Sequence, residues 1–147
     1  MRYEKIAVAV ILTLALWIMP AVAEGQSFKV VVNENNSTAS MTQQNLSKCF
    51  LKQTRMWANG IPVIPVDQAV GSDTRKAFSQ QIHERDVSAI KSYWQRQIFS
   101  GRGVPPTEKT SDEEVLIFVK SNAGAVGYVS QDADLGTGVK VLEIADL

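Results

Sequence analysis

Residues 28–32, Phe-Lys-Val-Val-Val, form a short valine-rich run with too little alternation for a strand wetted on one face. That pattern predicts a buried strand. The polar stretch 33–40 then reads as a loop, and Leu46, Cys49 and Phe50 recur at helical spacing, predicting a first amphipathic helix that opens near Thr42. Asn59-Gly60 marks a turn, and a second strand is predicted over 61–66, whose two prolines favour a strand end or a sheet edge. After Gly71 the period becomes helical from Ser72, with Phe78 and Ile82 on one face. Val87, Ile90, Trp94 and Ile98 define a third helix, which the Gly-Arg-Gly-Val-Pro-Pro segment at 101–106 cannot continue. Ser111 with Glu114 has the form of a capping box, and Asp112 and Glu113 add negative charge where a helix dipole favours it. A fourth helix follows, with Val115, Leu116, Phe118 and Val119 as its buried side. Residues 124–129 read as a tight turn into a third strand, and 139–144 as a fourth. Strands alternating with helices predict an α/β fold, a single sheet of about four strands covered by about four helices. No internal repeat or long linker divides this region, so residues 24–147 read as one domain.

The region ahead of the first strand has a different pattern. Arg2 and Lys5 precede an uncharged apolar run over 6–18, followed by Pro20 and the triplet Ala21-Val22-Ala23. The run has 13 residues, against the about 20 that a membrane-crossing helix needs, so residues 1–23 read as a secretory signal peptide cleaved after Ala23. Membrane contact is then transient, through that segment alone. The 15 basic and 15 acidic residues cancel, which excludes a nucleic-acid partner because phosphate-backbone affinity needs a cationic excess. Cys49 is the only cysteine, so no intramolecular disulfide can form; its place on the apolar face of the first helix predicts a buried structural thiol.

Candidate chemistry concentrates at residues 66–75, Val-Asp-Gln-Ala-Val-Gly-Ser-Asp-Thr-Arg, where a strand passes into a helix start. Such a junction presents unpaired N–H groups and a positive dipole end, and Ser72 and Thr74 add hydroxyl donors, making an anion seat. The competing local reading is that Ser72 or Asp73 caps the helix. His83, the only histidine, falls near the end of the second helix, where a cation suits the dipole. One His and one Cys leave a zinc site without ligands, and no Ser-His-Asp arrangement can be drawn. Asp112, Glu113 and Glu114 are accounted for by capping, and Asp132 and Asp134 lie in an acidic loop without an EF-hand pattern. The chain therefore reads as a non-enzyme with no metal and no cofactor. Trp57, Trp94, Phe99 and Tyr128 are candidates for core or pocket lining, and Arg96 and Arg102 bracket the Gly-Arg-Gly turn.

Three stretches together carry a family resemblance. Residues 46–57, with Phe50-Leu51-Lys52 and Trp57, resemble the IF-x-G-K-x-x-x-W stretch of the phosphate-binding proteins of ABC transporters. Gly71-Ser72-Asp73-Thr74-Arg75 followed by Phe78 resembles their Gly-Ser-Gly-Thr phosphate loop, and Gly124-Ala125-Val126-Gly127-Tyr128 resembles their pGaIGY strand. The three occur in the family's order and span roughly 28–129. The resemblance implies an α/β domain like one lobe of a type II periplasmic binding protein. In that family the ligand lies between two lobes, held by serine and threonine hydroxyls, backbone N–H groups and an arginine. This chain has length for one lobe, and the matched stretches belong to the family's second. Asp67 stands in the region where the family tends to have arginine, and Asp73 replaces the middle glycine of its loop. Carried over, the resemblance implies a periplasmic protein that binds phosphate or a similar small oxyanion weakly, or assists its uptake or sensing. Gly71, Ser72, Asp73, Thr74 and Arg75 would hold the anion, with Ser37 and Thr38, on the loop after the first strand, expected on the same rim. The alternative is a non-enzymatic interaction module that turns its open lobe face toward a protein partner or a second copy as a homodimer.

Overall fold

The structure is a computed structural model and describes residues 26–147; the predicted leader, 1–23, and its cleavage site lie outside the described residues. In chain order the elements are β1 (Phe28–Asn33), β2 (Ser40–Met41), α1 (Gln43–Phe50), β3 (Ile64–Gln68), α2 (Asp73–Phe78), α3 (Val87–Phe99), β4 (Thr107–Lys109), α4 (Asp112–Ser121), β5 (Ala125–Ser130), β6 (Val139–Val141) and β7 (Glu143–Ile144). A π-helical turn, Ser79–His83, extends α2.

β1 organises the sheet because its side chains are wanted on both faces. Phe28, Val30 and Val32 pack with Leu46, Phe50 and Phe78 from α1 and α2, whereas Val31 packs with Val115 and Val119 of α4. This is the two-faced burial that the unalternating valine run predicts. The five-stranded sheet has the order β4-β3-β5-β1-β6, and β2 pairs with β7 beside it. β1 is antiparallel to both β5 and β6, while β3 runs parallel to both β5 and β4. Layers of helix on each face of one sheet make the predicted α/β architecture, with five strands in place of about four.

Local signals explain the helices. Ser72 Oγ accepts from Arg75 N at 3.2 Å to cap α2, and Asp86 Oδ1 accepts from Ala89 N at 2.8 Å to cap α3. Ser111 Oγ accepts from Glu114 N at 3.2 Å, but the return bond of the capping box is shifted by one residue, since Glu114 Oε2 accepts from Thr110 N at 2.8 Å. Gly127 is needed for packing: a Cβ there would stand 2.7 Å from Val66 Cγ1 and 2.8 Å from Val115 Cγ1, so α4 and β3 close on β5 only around a glycine.

Several expectations need correction. The second strand forms at Ile64–Gln68, not 61–66, because residues 56–62 first fold back through a Met56–Pro62 bridge and a Trp57 N to Ile61 O bond of 2.8 Å. Pro65 is tolerated because β4 joins β3 only from Val66 onward. The predicted strand 139–144 divides: β6 stays in the main sheet and β7 leaves to pair with β2. Ile98, expected on the apolar face of α3, is exposed, since that face is covered only as far as Trp94.

The expected common rim does not form. β1 runs opposite to β3, so their carboxyl ends lie at opposite edges of the sheet. Ser37 and Thr38 follow β1 at one edge, and Gly71 to Arg75 follow β3 at the other. The rim rule assumes neighbouring parallel strands, and the antiparallel β1 breaks that assumption.

Candidate functional site

The corner where β3 passes into α2 is built from the last two residues of the strand and the first turn of the helix. Ser72 lies half-buried; its hydroxyl donates to Gln68 Oε1 at 2.6 Å while accepting from Arg75 N. Gly71 is exposed and Thr74 half-buried. The Asp73 side chain is 98% exposed and meets Lys76 Nζ at 3.2 Å, so its charge faces water and not the strand end.

Arg75 turns the other way. Only 5% exposed, it folds back beneath the corner and is coordinated on several sides. Nη1 donates to Gln68 O at 2.5 Å and to Glu108 Oε1 at 2.7 Å, and Nη2 pairs with Asp67 Oδ2 at 3.3 Å. Tyr128 from β5 donates its hydroxyl to Asp67, which also accepts from Gln68 N at 3.1 Å. The Gln68 amide donates to Tyr128 O at 3.0 Å and to Asp112 Oδ1 at 2.8 Å, and Ser130 donates its hydroxyl to Asp112. Strand ends from β3, β4 and β5 thus supply one continuous polar network, and among the described residues no buried side-chain polar atom lacks a partner.

The electrostatics follow from burial and this pairing. Burial pushes the Asp67 carboxyl above its ordinary range, against the pull of Arg75 and the Tyr128 hydroxyl. Burial alone would lower Arg75, yet Asp67 and Glu108 outweigh it and raise its pKa. Tyr128 is driven far up by burial and then by the Asp67 charge, so its proton stays on the bond to Asp67. One guanidinium pairs with two carboxylates, Asp67 and Glu108, while Asp112 joins the network through the Gln68 amide. Glu108 is the outer partner: its side chain is 45% exposed, against 9% for Asp67. The first-turn N–H groups of Asp73 and Thr74 have no intrahelical acceptor, and the half-buried Thr74 adds a hydroxyl beside them.

Of the sequence-derived site residues, the structure brings Gly71, Ser72, Asp73, Thr74 and Arg75 to one corner and leaves Ser37 and Thr38 at the far edge. Ser72 also performs the capping role read as the competing alternative. Gln68 falls within the stretch 66–75 singled out from the sequence, but Glu108 and Asp112 were missed as parts of this corner, since they come from other segments and share no spacing with it. His83 is not a helix-end cation. Ser47 Oγ lies 2.8 Å from its Nδ1, Phe78 packs edge-on at 5.6 Å, and burial, then Arg85 and Arg75, lower its pKa to about 4. Cys49 is the buried thiol expected, raised to about 11 by burial. Among the described residues no group of three His, Cys, Asp or Glu side chains is placed to hold a metal ion.

No protein-family model and no curated protein matches the chain. Solved structures do. A phosphate-bound structure from Clostridium perfringens, assigned to a phosphate ABC transporter substrate-binding protein, superposes with a TM-score of 0.64 at 17% identity, over 80% of this chain and 44% of that one. An ABC-type phosphate transport receptor from Vibrio cholerae gives 0.61 at 21% identity, over 79% and 45%. PstS from Borrelia burgdorferi gives 0.57 at 14% identity, over 81% and 47%. The chain spans less than half the length of each of these proteins. Its five-stranded sheet and four helices have the fold of a single lobe of such a periplasmic binding protein.

Proposed function

We propose that this chain is an exported, periplasmic, non-enzymatic binding lobe that takes phosphate or a similar small oxyanion weakly at the β3–α2 corner. The fold likeness to phosphate-binding proteins supports a binding role. The observation that carries the choice of corner is Arg75, a buried guanidinium whose outer partner, Glu108, reaches it from a half-exposed position. An incoming oxyanion takes the place of the Glu108 carboxylate on Nη1 and accepts from the N–H groups of Asp73 and Thr74 and the Thr74 hydroxyl. Exchange of one anion for another leaves the buried pair with Asp67 intact. Asp67 and Asp112 stay close by, and one ligand face remains wet, so affinity is in the millimolar range, about 4 kcal/mol. Monohydrogen phosphate also carries a proton that a nearby carboxylate can accept in a hydrogen bond.

The test is titration of the purified protein with inorganic phosphate, followed by amide NMR shifts. The expected result is saturable movement of the 71–75 amides, with Glu108→Gln tightening binding severalfold because the competing charge is gone. Unmoved amides at about ten times the expected dissociation constant would remove the corner as an anion seat. A second reading, an interaction module, is favoured by Phe99, 92% exposed at the end of α3 beside exposed Ile98. It requires concentration-dependent dimerisation or partner binding that Phe99→Ser abolishes.

A further inference from the structure

A second concavity lies at the other end of β3. Val63, the residue before the strand, lines a groove of about 750 Å³ between the segment after α1 and the second half of α3. Gln68 is five positions further along the chain, about 16 Å at an extended rise. The groove is therefore independent of the β3–α2 corner.

The lining combines two chemistries. Lys52, Arg55 and Arg102 supply three cations, and no Asp or Glu lines the groove. Among the described residues none of the three has a carboxylate within ion-pair distance. Lys52 Nζ reaches only Pro105 O, at 3.4 Å, and Arg55 Nε only Lys52 O, at 3.5 Å. Burial, and after it the neighbouring Arg55, hold the Lys52 ammonium below its ordinary pKa. The floor is aromatic and fixed: Trp94 is buried, Tyr93 stacks edge-on against it at 5.0 Å, and the Tyr93 hydroxyl donates to Leu51 O at 3.1 Å. Val104 adds apolar surface at the rim.

The backbone sets Lys52 in place at a cost. Its φ is +56°, in the left-handed region, where the chain leaves α1. Lys52 N bonds to Cys49 O at 3.1 Å and Gln53 N to Lys48 O at 2.9 Å, closing the helix end in the manner usually served by glycine. Folding would be better served by glycine there, so a lysine held in a strained conformation beside two more unpaired cations points to a use for its charge.

From these observations we propose that the groove is a binding site for a small organic anion bearing a phosphate or carboxylate on a flat apolar body. The anionic group sits among Lys52, Arg55 and Arg102, and the body lies over Tyr93 and Trp94. The volume falls in the range of small-molecule sites, roughly 300–1,000 Å³.

The probe is 1-naphthyl phosphate, titrated into the purified protein and followed by amide NMR shifts, with inorganic phosphate and 1-naphthol as the charge-only and apolar-only arms. The expected result is saturable movement of the amides at 52–55, 93–97 and 102–104, with the probe at least about tenfold tighter than either arm. Lys52→Gly separates binding from folding. It keeps or raises Tm by relieving the strained backbone, and weakens the probe about tenfold. Arg55→Ala, at an exposed position, weakens it similarly. No movement of these amides, probe affinity equal to that of inorganic phosphate, or unchanged affinity in both variants would overturn the proposal. Phosphate shifts at 71–75 report the β3–α2 corner separately.

Discussion

At the scale of single residues, chemistry is decided by what surrounds a side chain. His83 was legible as the sole histidine near a helix end, yet its neutrality was not, because Ser47 and Phe78 reach it from α1 and α2. Its folded pKa of about 4 lies below the ordinary 6.5, so the unfolded chain binds more protons between those values. Stability is therefore full above pH 6.5 and falls as pH drops toward 4, by on the order of 2–3 kcal/mol. Urea unfolding at pH 7 and pH 4.5 measures this, and His83→Gln should flatten the dependence across that window. Cys49 makes a complementary prediction. With its thiol pushed to about 11 and buried against Met41, it should resist alkylation at neutral pH until the protein unfolds. Labelling in step with native-state unfolding, and not faster, is the expected kinetics. Its burial was readable from helical spacing with Leu46 and Phe50, since one element alone fixes it.

At the scale of elements, the long and patterned pieces were legible and the short polar ones were not. β1 and the four α-helices among the described residues announce themselves through valine density, period and caps. β2, Ser-Met, and β4, Thr-Glu-Lys, have too few residues to show a period, and they exist only because a neighbouring strand offers an edge. The end of β3 is similar: Asp67 and Gln68 look like loop residues and are buried in the strand because Arg75 and Tyr128 satisfy them. The β3–α2 junction is thus a tertiary product. Arg75→Met should destabilise by about 3–5 kcal/mol, since it strands the buried Asp67 carboxylate, and adding Asp67→Asn should recover much of that. Thermal unfolding of the single and double variants reads the coupling directly. Packing of α4 on the sheet yields a further case. Gly127→Ala drives a methyl into Val66 and Val115 and should cost about 1–3 kcal/mol, visible as a lower urea midpoint at unchanged slope.

At the scale of the whole molecule, the α/β class followed from alternation of elements, but the strand directions did not. Nothing in a run such as residues 28–32 records which way it points relative to residues 64–68; the antiparallel β1 is set by the connections and by burial on both its faces. That single reversal separates Ser37 and Thr38 from Arg75, so the loop after β1 adds nothing to the corner. It also bears on how this molecule would respond to an anion. Two-lobed binding proteins can report a ligand by hinge closure, which needs two bodies moving about a joint. The described residues form a five-stranded sheet with helices on both faces and a two-stranded sheet beside it. On the proposed reading, an anion at the β3–α2 corner stabilises the lobe in place. At a ligand concentration ten times the dissociation constant the gain is about 1.4 kcal/mol, so phosphate should raise Tm modestly in proportion to its logarithm. The radius of gyration, about 14 Å for a folded domain of this size, should stay unchanged throughout. Small-angle scattering and thermal denaturation on the same titration test both halves together. A rise in Tm with constant dimensions fits ligand held on a rigid lobe. Contraction on adding phosphate would require an internal joint that this sheet lacks, and expansion toward twice the mass would mean that a second copy supplies the missing face.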